Sequence, residues 1–198
     1  LCALVPANPV GFNIGRFFFL FGMPLLAGIR RVMLPVWVTG FFVFAVAMGQ
    51  IVPPASHYVA VADMPSTRAA FFAPALSFAA RHYDPNYRFH VVALDTHWEA
   101  YYFSINGFPI TRGWYRQADA LHNDILSSDF SAAGYATWLR RMGVKYVFLP
   151  EAPLDWSGPR EAAVLRSSPE FRQVWKDADW TVYRLSEPAP LGVSLDGG

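Results

Sequence analysis

The sequence predicts a small α/β domain built on a mixed sheet, with α+β as the alternative, preceded by one or two transmembrane helices. Charge is divided unevenly along the chain. Across residues 1–62 the only charged side chains are Arg16, Arg30 and Arg31, whereas the other 13 basic residues and all 15 acidic ones follow, so a segment of +3 precedes one of −2. Residues 32–52 form an uninterrupted uncharged run of membrane-crossing length. Residues 131–150 read as a helix passing directly into a buried strand, the second half of a βαβ unit. Of the 198 residues 54% are hydrophobic and only 16% charged, which excludes a disordered chain. These observations divide the chain into a transmembrane region over 1–53, an α/β domain over 54–186 and a flexible tail over 187–198.

The run VMLPVWVTGFFVFAVAMGQIV at 32–52 holds 11 residues of Leu, Ile, Phe or Val. At about −0.3 to −0.6 kcal/mol each they favour insertion by about 3 to 7 kcal/mol, before discounting Pro35, Gly40 and Gln50. Residues 17–29 are apolar but too short to span alone, so a first span extends back to residue 10 and carries Arg16 against protein or the interface. Gly22, Pro24 and Gly28 suit a membrane helix better than a soluble one. Arg30 and Arg31 lie between the spans; the positive-inside bias puts that link in the cytoplasm and everything after Pro53 outside. Pro53 and Pro54 are expected to end the second span. Opening on Leu1 in mid-pattern, the chain reads as part of a longer, multi-pass protein.

In the polar part, residues 68–83 place Phe71, Phe72, Ala75, Leu76 and Ala79 at near-helical spacing around Pro74, a core helix or one lying at the membrane surface. Residues 89–94 read as a strand. Trp114, Ala118, Leu121 and Ile125 mark an amphipathic helix over 114–126. Ser131 is a helix cap, Tyr135, Trp138, Leu139 and Met142 form an apolar stripe, and Gly143 ends the helix in a left-handed conformation before the strand 144–149. A helix from Ser157 or Gly158 to about Ser167 follows, then strands 171–175 and 180–185 flanking a four-residue hairpin loop. The tail has no periodicity.

Two clusters carry chemistry. Thr96-His97-Trp98-Glu99 follows the first strand, where open α/β sheets place ligand-binding loops. In extended geometry His97 and Glu99 point the same way and could share a metal or act as acid and base, although no third ligand has diagnostic spacing; the plainer reading is a surface hydrogen-bonded pair. Arg112, Trp114, Arg116 and Asp119 combine a planar fork for phosphate or carboxylate with a flat ring for a sugar. Here the plainer reading is a core tryptophan beside an ordinary i, i+3 ion pair. His57, His82, His90 and His122 are scattered and read as structural or surface residues, and Asp155 as a turn former. The sequence holds no glycine-rich phosphate loop, G-x-S-x-G or H-E-x-x-H, so no residue is assigned a catalytic or metal role and no cofactor is expected. Cys2 alone excludes an internal disulfide or a cysteine zinc cluster. A net charge of +1 without a basic stripe excludes nucleic acid as a partner.

Taken together, Asn8-Pro9-Val10-Gly11 leading into Arg16, then DTHWEAYYF, RGWYRQAD with His122-Asn123, YATWLRRMGVKYVFLP, APLD and DWTVYRL resemble the C-terminal region of large polytopic actinobacterial membrane proteins, which look like GT-C-type glycosyltransferases. The resemblance implies a many-helix membrane body and an extracytoplasmic C-terminal domain, with transfer of sugar from a polyprenyl-phosphate donor to an envelope acceptor. The catalytic acid of such enzymes lies in an early outer loop, so no residue here inherits that role. The expected partners are the lipid bilayer and a polyprenyl-phosphate sugar or envelope glycan, contacted through His97, Glu99, Arg112, Trp114, Arg116 and Asp119. The competing expectation is a non-enzymatic envelope protein whose outer domain docks a protein partner. A transporter would need charged residues within its spans, and 32–52 has none.

Overall fold

The computed structural model describes Phe21, residues 35–113 and residues 123–191. The chain falls into two compact units, Leu1–Asp63 and Met64–Gly198. In the first, α1 (Val36–Ala62) is a 27-residue helix, about 40 Å long at 1.5 Å per residue. Pro35 precedes it, its fixed φ suited to a helix start, and its carbonyl accepts from Val38 N at 2.9 Å. The helix contains no Asp, Glu, Lys or Arg and is long and apolar enough to cross a membrane. Val36, Trp37, Phe41 and Phe44 are exposed along it.

Pro53 and Pro54 do not end this helix, which runs on to Ala62. Each proline removes one i→i−4 bond, from the carbonyls of Gly49 and Gln50, yet intact apolar turns on both sides carry the helix through. The two compact units divide between Asp63 and Met64. Most of the expected first span, residues 10–29, lies outside the described residues.

The second unit is a three-layer α/β arrangement on a four-stranded sheet of order β1-β2-β4-β3. The strands are β1 (Arg88–Val91), β2 (Val144–Pro150), β3 (Phe171–Lys176) and β4 (Trp180–Leu185). β1 and β2 are parallel, while β2 with β4 and β4 with β3 are antiparallel. The sheet is thus mixed, and the crossover from β1 to β2 is the expected βαβ unit. Beyond Val91 the chain stays beside β2, with Val92 N donating to Phe148 O at 2.9 Å.

On one face lie α2 (Ala69–His82) and α3 (Trp98–Ile105). The stripe of α2 is a core face, with Phe71, Phe72, Ala75, Phe78 and Ala79 buried against Phe148, Trp180 and Val182. On the other lie α4 (Ala132–Arg141) and α5 (Gly158–Ser167), packing Tyr135, Trp138, Leu139, Ala162 and Leu165 onto Val147, Leu149 and Leu185. Ser131 caps α4 by accepting from Gly134 N at 3.1 Å, and Gly143 adopts φ 69° after it. In the β3–β4 hairpin Asp177 Oδ1 accepts from Asp179 N at 2.9 Å and Trp180 N at 2.7 Å.

Two expectations change in this unit. α3 forms where a loop was expected. Of the helix expected over 114–126, residues 114–122 lie outside the described residues, and Asp124–Ser127 is a 3-10 turn that buries Leu126. At the start of the tail, Leu191 N donates to Asn86 O at 2.9 Å, and Arg140 Nε to Glu187 O at 3.2 Å.

Candidate functional site

The two parallel strands deliver their following segments to one place. Asp95 N donates to Pro153 O at 3.0 Å and Asp155 N to Ala93 O at 2.8 Å, around an antiparallel bridge between Leu94 and Leu154. This sets Thr96-His97-Trp98-Glu99 beside Asp155-Trp156-Ser157 at the carboxyl ends of β1 and β2, the usual ligand position of open α/β sheets. A third segment, residues 109–113, runs along the free edge of β1. Phe89 N donates to Pro109 O at 2.9 Å and Thr111 N to Phe89 O at 3.0 Å, which delivers Arg112 to the same end.

His97 and Glu99 come together, but not in extended geometry. His97 takes a left-handed conformation, φ 56° and ψ 17°, at the N-cap of α3, and Glu99 sits in the first turn. For a residue with a Cβ that conformation is uncommon and costs energy. His97 Nδ1 lies 3.7 Å from Glu99 Oε1, an ion-pair distance longer than a direct hydrogen bond. The Glu99 carboxylate raises the His97 pKa; burial opposes, the charge of Asp155 adds and that of Arg112 subtracts. Glu99 is buried, and its Oε2 has no hydrogen-bond partner among the described residues.

Arg112 is largely engaged. Its side chain is 7% exposed, with Nη1 donating to Ser157 Oγ at 3.0 Å and Nη2 3.4 Å from Asp155 Oδ2. Its Cζ lies 5.9 Å from the centre of the Trp156 ring. Asp155 therefore does more than form a turn, since its carboxylate helps hold a buried guanidinium. Trp114, Arg116 and Asp119 lie outside the described residues.

Behind these residues is a polar circuit that the sequence did not disclose. Ser157 Oγ donates to Glu161 Oε1 at 3.0 Å, and Tyr135 OH donates to Glu161 Oε2 at 2.7 Å. His90 Nε2 lies 2.7 Å from the same oxygen, and His90 Nδ1 lies 2.6 Å from Thr111 Oγ1. With the ring proton on Nε2, His90 donates to Glu161 and accepts from the Thr111 hydroxyl, which satisfies all of these groups. Thr111 and Arg112 are neighbours, so the path Arg112–Ser157–Glu161–His90–Thr111 closes on itself.

Both His90 and Glu161 side chains are wholly buried. Burial is the largest influence on the Glu161 pKa and pushes it up; the hydrogen bonds from His90 and the Tyr135 hydroxyl and the charge of Arg112 outweigh it and hold the value below the ordinary one. Burial raises the Tyr135 pKa well above its usual value, and Glu161 adds to the shift. His90 is wholly buried in β1. Its pairing with a glutamate 71 positions away had no local signal.

Among the described residues no group of three His, Cys, Asp or Glu could hold a metal ion. No family model, curated protein or solved structure matches the chain. The arrangement can accept and donate hydrogen bonds at its rim and offer indole faces. Trp98 is 40% and Trp156 41% exposed.

Proposed function

We propose that this chain is the membrane-tethered accessory module of a GT-C-like glycosyltransferase using a polyprenyl-phosphate sugar donor, and that its α/β domain, on the extracytoplasmic side, binds and positions an envelope glycan. The observation that carries this reading is the convergence of His97, Glu99, Arg112 and Asp155 at the carboxyl ends of β1 and β2, flanked by half-exposed Trp98 and Trp156. Indole faces cover the apolar side of a pyranose, and paired carboxylates and an imidazole meet its hydroxyl groups. Because Arg112 is engaged by Asp155 and Ser157, the fitting sugar is a neutral, hydroxyl-rich one rather than one that needs a free guanidinium. The apolar α1 supports the tether.

The test is titration of the full chain in maltoside-free lipid nanodiscs with neutral pentose and hexose oligosaccharides, read by saturation-transfer NMR. Trp156→Ala should raise Kd about fivefold to tenfold, the worth of roughly 1 to 1.4 kcal/mol of stacking. Absence of saturable binding by the unaltered chain, or affinity unchanged from it in both Trp156→Ala and His97→Ala, would overturn the proposal.

A further inference from the structure

β4 buries five of its six side chains, and the exception is Arg184. Directly opposite it on β3 stands Arg172, also exposed. Opposed residues on an antiparallel pair bring their Cβ atoms to about 4.5–5.5 Å, where like charges repel. Among the described residues neither guanidinium has a hydrogen-bond or ion-pair partner: the nearby Glu170 gives its carboxylate to Arg140 at 2.6 Å, and Glu151 pairs with Arg166 and Lys176. On its other side Arg184 is in register with Tyr146, whose ring is met by Phe78 at 5.6 Å and His82 at 5.8 Å from the end of α2. The row Tyr146, Arg184, Arg172 thus emerges from beneath the last turn of α2 into the open. A charge on the edge strand discourages unwanted strand pairing, which accounts for Arg172. It does not account for Arg184, which lies on an interior strand.

We infer that Arg172 and Arg184 form a binding site for a phosphate group. Each guanidinium is a planar two-pronged donor; side by side, the two reach more oxygens than one carboxylate presents, whereas a tetrahedral phosphate can bridge both. A bound dianion converts the repulsion between them into attraction toward a shared centre. The ligand is a phosphate ester or free phosphate, from a lipid headgroup or a soluble molecule. The site stands apart from the glycan face and does not depend on it.

The experiment follows the arginine Nε–H resonances of the full chain in two phosphate-source arms. One is maltoside micelles titrated with inorganic phosphate; the other is nanodiscs containing anionic phosphatidylglycerol in phosphate-free buffer. Saturable shifts of Arg172 and Arg184 in the first arm identify a soluble source, and shifts in the second a headgroup; each supports the site. Arg172→Gln and Arg184→Gln should each weaken the response about tenfold, while Arg141→Gln, an exposed change on α4, leaves it intact. Arg184→Glu should raise the melting temperature by replacing a repelling pair with an attracting one, while abolishing binding, which separates loss of the site from loss of the fold. Silence in both arms, shifts in Arg141 as large as those of the pair, or a lowered melting temperature in Arg184→Glu would overturn the inference.

Discussion

Toward α2 and α3 the sheet is covered by aromatic rings, whereas toward α4 and α5 an equally dry interior encloses a carboxylate, an imidazole and a phenol. Phe71, Phe72, Phe103 and Phe148 surround Trp180 at 5.2–6.4 Å between ring centres, in tilted and edge-on contacts. Such contacts bury area and tolerate small displacements. On the opposite face the distances of 2.6–2.7 Å around His90 and Glu161 fix positions instead. The difference teaches a division of labour. One face is held by apolar and ring packing. The other holds residues 111 and 112 and Ser157 in register with the carboxyl ends of β1 and β2, where the candidate site lies.

The largest effect expected is on the aromatic face. Trp180→Ala removes a fully buried ring and the donor of a 2.7 Å bond from its Nε1 to Phe71 O, and should cost about 4 to 5 kcal/mol. Urea unfolding of the full chain in micelles, followed by near-ultraviolet circular dichroism, measures it. The loss should be the same at pH 5 and pH 8, because no titrating group is touched. A loss below about 1 kcal/mol would show that this face is less tightly packed than its ring distances indicate.

On the polar face, Glu161→Ala should cost about 3 to 4 kcal/mol, because it leaves the donors of His90, Tyr135 and Ser157 without their acceptor. Replacing Glu161 and His90 together by leucine should cost at least about 1 kcal/mol less than the two single changes summed, since the double change removes both members of a buried polar pair. Additive losses would mean the circuit is not a coupled unit. The pH dependence follows from the lowered Glu161 pKa. A carboxyl whose folded value lies below its ordinary 4.5 contributes stability above that value and loses it as pH falls through the folded one. The unaltered chain should therefore weaken on acidification below about pH 4 by a component that Glu161→Ala lacks.

Much of the frame was legible because local rules agree there. The cap at Ser131, the stripe through Leu139, the left-handed Gly143 and the apolar strand after it all point to one structure, and β2 begins at Val144 as expected. The α3 segment was not legible: WEAYYFSI is rich in aromatic residues that favour strands, and its helix rests on the buried anchors Glu99 and Phe103. Pro53 and Pro54 misled because a proline rule drawn from soluble helices was applied inside a long apolar one. For the candidate site, the sequence singled out His97, Glu99 and Arg112, which the fold brings to one end of the sheet. It gave Asp155 only a turn and Ser157 only a helix start, and did not single out Glu161, because the bonds of Asp155 and Ser157 to Arg112 and of Glu161 to His90 join residues 43 to 71 positions apart.

The smallest effect expected lies where the polar face reaches solvent. His97 has its pKa raised chiefly by Glu99, so its contribution to stability is complete below the ordinary value of 6.5 and is lost as pH rises through the folded value. Its side chain is 27% exposed, so water screens the pair and the change should be confined to the start of α3. A titration of the His97 ring by NMR should therefore give an apparent pKa above 6.5 in the unaltered chain, falling toward 6.5 in Glu99→Gln. Amide exchange in the first turn of α3 should quicken above that pH beyond the intrinsic rate. His97→Asn keeps a residue that tolerates the left-handed backbone but removes the titrating group, and should flatten this dependence. A His97 that titrates at or below 6.5 would sever the ion pair from the behaviour of the helix, leaving the start of α3 to the left-handed backbone at residue 97 and the buried anchors Glu99 and Phe103.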